Sequence, residues 1–137
     1  MKTKLILTAF IFTFSLILKA QLYVTVDSYQ EAVLNPNTQD WDLISEKQEV
    51  SIFQLDMEMT TLLHTVKGSE NVSWYTVTKW EFDDEKSTYF LIANTLEDDV
   101  EHIIGIDGIN MMLSIMTEKN GVQSVTGHNI VDIQFEE

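Results

Sequence analysis

"VSWYTVTKWEF", residues 72–82, decides the fold class. Val72, Trp74, Thr76, Thr78, Trp80 and Phe82 fall on one side of an extended chain. Ser73, Tyr75, Val77, Lys79 and Glu81 fall on the other. Such alternation, built from β-branched and aromatic residues, marks a strand, because successive side chains of an extended chain point to opposite faces. "DDEK" (83–86) then turns the chain, and Ser87–Asn94 returns. That register sets Trp80 beside Tyr89 and Thr78 beside Leu91, a cross-strand aromatic pair on an interior face.

Hairpins extend the pattern in both directions. Val50–Leu55 and Met59–Val66 pair around "DMEM", with Leu55 against Thr60, Phe53 opposite Leu62 and Ile52 opposite Leu63. Asp107-Gly108 and Asn120-Gly121 are the dipeptides preferred by two-residue type I′ turns, whose central residues both need positive φ. The first turn pairs Ile106 with Ile109, Ile104 with Met111 and His102 with Leu113. The second pairs Lys119 with Val122, Leu113 with His128 and Ile115 with Thr126. Both turns place Ile109, Met111, Leu113 and Ile115 on one face, so they agree on a meander. Ile130, Val131 and Ile133 add a last short strand.

Two segments read less simply. Leu22–Val26 suits a strand, while Asp27–Leu34 suits one or two helical turns capped by Asp27; Pro36 then sits in a turn cluster, "NPN". In "LEDDVEH" (96–102), helical spacing of Leu96, Val100, Ile103 and Ile104 competes with a loop over Thr95–Asp99 followed by a strand from Val100. Short loops between meander neighbours favour the second.

The expected fold is therefore all-β: an antiparallel meander of about seven or eight strands, forming a small barrel or strongly curved sheet. A short N-terminal helix is the alternative for residues 27–34. Closure would remove the exposed edges of so apolar a set of strands. The architecture is loosely similar to lipocalin-like barrels. Trp41 stands about where such barrels often carry a tryptophan, but Gln39-Asp40 precede it and the accompanying Gly-x-Trp is missing.

The leader reads as an export signal. Lys2 and Lys4 precede an uncharged apolar run, Leu5–Leu18, and Ala20 is the small residue expected before a cut. The run is shorter than the roughly 20 residues of a membrane span. Residues 1–20 are expected to be a signal peptide and 21–137 one acidic domain, best patterned over 41–134, that is secreted or periplasmic. No membrane span is expected after cleavage. The 137-residue chain has no cysteine, so neither disulfides nor thiol-bound lipid apply. Its 22 acids face eight basic residues, all lysine, and three of those lie in the leader. The domain thus carries 5 − 22 = −17. Nucleic acid and anionic headgroups, bound mainly through Lys and Arg, are excluded as partners; solubility and cationic partners are favoured.

Chemistry-bearing patterns are few. The acids of "EFDDE" (81–85) and 97–101 lack the alternating spacing and glycine of a calcium loop. His64, His102 and His128 form no HxH or HExxH motif. Serines occur outside any G-x-S-x-G context, and no phosphate loop appears. An enzyme is not expected, nor is a cofactor or metal. Trp74, Thr76, Thr78, Trp80 and Tyr89 are the candidate ligand-binding residues, because threonines between large rings suit a partly open interior better than a filled core. The leading expectation is an exported, non-enzymatic binding protein that takes an apolar small molecule in a barrel interior. The alternative is an extracytoplasmic protein–protein interaction or inhibitor module with an acidic surface.

Overall fold

The computed structural model describes residues 21–95, 97 and 99–136; residues 1–20, expected to be a signal peptide, lie outside them. Eight strands follow one another: β1 (Gln21–Leu34), β2 (Trp41–Asp56), β3 (Thr61–Val66), β4 (Val72–Asp83), β5 (Thr88–Thr95), β6 (Glu101–Asp107), β7 (Met112–Lys119) and β8 (Val122–Glu136). Each pairs antiparallel with the next, and β8 returns to β1, so the sheet closes into an all-β barrel.

The segment read as helical turns is instead strand. β1 runs unbroken through Asp27–Leu34, because β2 and β8 flank it and supply ladder partners on both sides, as in Gln30↔Glu46 and Gln30↔Gly127. A one-turn helix there would leave those backbone groups without their ladder. Likewise, residues 122–136 form one long strand rather than a short terminal one. In the 96–102 stretch Leu96 and Asp98 lie outside the described residues; Asp99 and Val100 belong to no regular element, and β6 begins at Glu101.

Three turns crowd one end of the barrel, and each opens on an aspartate. Asp56 Oδ1 accepts from the Thr60 and Thr61 amides, Asp83 Oδ1 from the Glu85 and Lys86 amides, and Asp107 Oδ1 from the Ile109 and Asn110 amides. These side chains take over turn hydrogen bonding and make the turns longer than two residues. The registers move accordingly. Leu55 pairs with Leu62, so Phe53 faces His64 and Ile52 faces Thr65. Phe82 pairs with Tyr89, so Trp80 faces Leu91. Asp107 pairs with Met112, so His102 faces Thr117, not Leu113, and Ile104 faces Ile115. Met111 turns back at φ 54°. Asn120-Gly121, by contrast, is the expected two-residue turn, with φ 55° and 79°, and Leu113 pairs with His128.

An eight-stranded barrel is just wide enough for its inward side chains to fill it. Val24, Val26, Phe53, Leu55, Leu62, Leu91, Ile104 and Leu113 do so, each essentially inaccessible to solvent. Met59 and Met111 pack onto this core from the turns.

Candidate binding surfaces

The aromatic row read as one interior face is split in two. A bulge lies between Val77 and Lys79, where Val77 pairs with Ala93 but Lys79 already pairs with Ile92. Before it, Tyr75 and Val77 point into the core, while Trp74 and Thr76 face outward. Beyond it the parity reverses. Trp80 stands across from fully buried Leu91, and Phe82 across from Tyr89, their ring centroids 4.6 Å apart. Trp80 still leaves half its surface exposed, because six-residue β3 ends before covering this part of β4. Thr78 is exposed, and its hydroxyl donates to the Ile92 carbonyl. Trp74, Thr76, Thr78, Trp80 and Tyr89 therefore do not line one interior wall. Nothing in the spacing of 72–82 announces the bulge.

Phe82 and Tyr89 do meet an apolar depression at the turn-rich end of the barrel. It measures about 200 Å³ and is lined also by Leu22, Ile106, Ile133 and Phe135. The lining comes from the first and last strands, β1 and β8, and from β4, β5 and β6, which closure brings together.

The opposite half of the interior is polar. His64 stacks on Phe53, centroids 4.0 Å apart and planes nearly parallel. His128 meets Phe53, Tyr29 and His64 edge-on. The carbonyl of Ser28 can only accept, so His128 Nδ1, 3.0 Å away, carries the proton; His102 Nδ1 donates likewise to the Val100 carbonyl. Burial pushes the His64 pKa down to about 4, helped by the neighbouring His128 and opposed by Glu49. Burial lowers His128 as well, against its Ser28 bond and Glu49. Both rings are thus neutral near pH 7. Among the described residues, His64 Nε2 and Ser51 Oγ are buried without hydrogen-bond partners. These two atoms accordingly do not form the nucleophile–base pair that activates a serine. No cluster of three metal-ligating side chains occurs among the described residues. Burial also pushes Tyr29 up to about 12, reinforced by its hydrogen bond to Glu31.

The outer wall carries a feature that no single strand reveals. The ladder places Leu43 opposite Ala32, Ala32 opposite Val125, Val125 opposite Met116, Met116 opposite Ile103, and Ile103 opposite Ile92. Directly paired residues share a face. Six apolar side chains from six strands (β2, β1, β8, β7, β6 and β5) hence form one outward row. Leu43, Met116 and Ile103 are well exposed, and the other three are partly so. Ile103 and Met116 floor a depression of about 280 Å³ that Glu101 and Glu118 border. The next row toward the turn-rich end reads Gln30, Gly127, Ser114, Gly105 and Phe90. Its glycines keep the wall low beside the stripe. A Cβ on Gly105 would press on Ser114 Oγ at 3.3 Å. Phe90, Gly105, Met112 and Ser114 help line a second shallow basin of about 340 Å³. Alternation in β7 already sets Met112 and Met116 on the face opposite Met111, but the row as a whole is not legible in the sequence, because its members lie far apart in the chain and depend on the corrected registers.

Comparison with known proteins identifies no matching family, no similar curated protein and no similar solved structure.

Proposed function

We propose that this is an exported, non-enzymatic binding protein that engages a protein partner on the outside of its barrel. One observation carries the reading: apolar side chains fill the middle of the interior, while an unbroken apolar row crosses six strands of the outer wall. A contiguous exposed apolar patch with a polar rim is the usual mark of an interaction surface. Net charge keeps such a protein soluble between encounters and favours cationic partners.

Site-specific photocrosslinking tests this. A benzophenone side chain at position 103 or 116 should yield one discrete adduct in the exporting cell, and the same group at Glu70, in the exposed turn after β3, should not. Absence of adducts from 103 and 116 would refute the reading.

A second reading keeps the small-molecule expectation and moves it to the barrel mouth. The depression beside Phe82 and Tyr89 supports it, since the mouths of β-barrels are common ligand sites. At about 200 Å³ it suits one ring or the end of an acyl chain. Tryptophan fluorescence titration with fatty and aromatic acids tests this, because Trp80 lies two residues from Phe82 on the same face.

A further inference from the structure

We propose that the partner seated on the outer stripe is an amphipathic, basic α-helix that lies across the strands at Val125, Met116 and Ile103. This rests on the protein-binding reading above and names the kind of partner.

The orientation follows from the row itself. Leu43, Ala32, Val125, Met116, Ile103 and Ile92 succeed one another across the ladder, so the stripe runs across the strands rather than along them. The wall curves as the barrel closes, so a straight helix touches only the middle of the row: Val125, Met116 and Ile103 span two inter-strand steps, ~10 Å. A helix covers that length in roughly seven residues, about two turns, at 1.5 Å each. Its pitch of ~5.4 Å brings an apolar side chain onto the contact face about once per strand crossed.

Backbone accounting selects a helix over an extended segment. Along the middle of the stripe, at Ala32, Val125, Met116 and Ile103, strands run on both sides and the ladder engages their main chains. A peptide laid there gains no main-chain hydrogen bonds from the wall and has to satisfy its own; a helix does so within itself. Strand addition would need a free edge. The stripe meets one only at its β2 end, where residues 41–49 have no partner strand other than β1 among the described residues.

Charge selects the sign. Glu101 and Glu118 flank Ile103 and Met116 on one side, and Glu46 lies beside Gln30 on the other. Among the described residues, Lys79, across from Ile92, is the one cation at the stripe, at its far end. The acids Glu101 and Glu118, bordering an apolar floor, suit lysines or arginines along the facing flank of an apolar helix face. They also oppose a second copy of this chain, whose stripe would bring the same acids.

Three synthetic 16-residue peptides test the assignment. One is leucine–lysine with leucines at helical spacing, the second has the same composition in strict alternation, and the third replaces lysine by glutamate in the first. Each is titrated into the isotopically labelled domain, with amide shifts and affinity read together. The helical lysine peptide should shift Ile103, Met116 and Val125, and Ile103→Ser with Met116→Ser should weaken it at least tenfold. The glutamate peptide should not bind. Equal affinity of the double variant would overturn the proposal, as would preference for the alternating peptide with shifts along 41–49. Concentration-dependent shifts at the stripe without peptide would assign it to a second copy and overturn it too. If the helical peptide fails while crosslinks still form from 103 and 116, the helix is wrong and the interaction surface stands. If those crosslinks fail, the surface itself is wrong.

Discussion

Met116 stands directly across the β6–β7 ladder from Ile103, and both side chains point away from the core, 38% and 45% exposed. Their inward neighbours, Ile115 and Ile104, are 8% and 0% exposed. One step along each strand therefore separates a residue that holds the barrel together from one that the fold does not use.

That separation predicts a sharp split in stability. Leu113→Ala, inside the barrel, is expected to cost about 2–5 kcal/mol, the lost burial plus the cavity left behind. Ile103→Ser and Met116→Ser are expected to cost under about 1 kcal/mol each, the span of β-propensity on a solvent-facing wall. Urea unfolding of the three variants checks this. A loss at Ile103 or Met116 as large as at Leu113 would mean that the outer row is structural.

The buried histidines make the barrel acid-sensitive. His64 is neutral in the folded protein, its pKa held near 4, and regains a value of about 6.5 when unfolded. As pH falls below about 6.5 the unfolded chain takes up the proton first, so stability is lost progressively down to about pH 4 and this contribution then levels off. His128 acts in the same direction. Thermal unfolding between pH 7 and 4 should show a falling midpoint, and His64→Leu should flatten it. Carboxylates protonate at the lower end of the same range, so the difference between the two proteins above pH 5 is the decisive quantity. Identical slopes there would contradict the assignment.

At the β7–β8 turn the backbone alone sets a requirement. Gly121 has φ 79°, and a Cβ there would meet nothing within 4 Å. Gly121→Val is therefore expected to destabilise by about 1–2 kcal/mol through left-handed strain and not through a clash. Gly121→Asn should cost less, since asparagine tolerates this region. Equal losses for the two variants would contradict a purely conformational cause.

These elements also show how far the chain could be read before folding. Asn120-Gly121 made its register legible because a two-residue turn leaves one way to pair its strands, hence Leu113 against His128. Asp107-Gly108 misled, since the Asp107 carboxylate binds the Ile109 and Asn110 amides and draws four residues into the turn. All three register shifts are by even numbers, so the inward residues of β7 keep their face even though their partners change. The Val77/Lys79 bulge shifts by one instead, and it moved Trp80 and Phe82 off the face of Trp74. Asp27–Leu34 became strand through partners up to about a hundred residues away, which local spacing does not contain. The outer stripe compounds these causes: it exists only once every register is right and the sheet is closed.

Cleavage after Ala20 is expected to leave Gln21 as the first residue. In the barrel Gln21 pairs with Asp56 and Glu136. Intact mass of the exported protein checks this, and a mature form retaining residues 1–20 would contradict it.

The outer-wall claim is tested most directly by methionine footprinting of the untagged protein. Met57, in a turn away from the stripe, is 57% exposed, and Met116, at its middle, is 38% exposed. In the purified protein brief peroxide treatment should oxidise both. In the exported material of the native cell the account predicts that Met57 oxidises as before and Met116 is protected by its partner. Oxidation of Met116 at the same rate in both settings would contradict the claim that this wall is a binding surface.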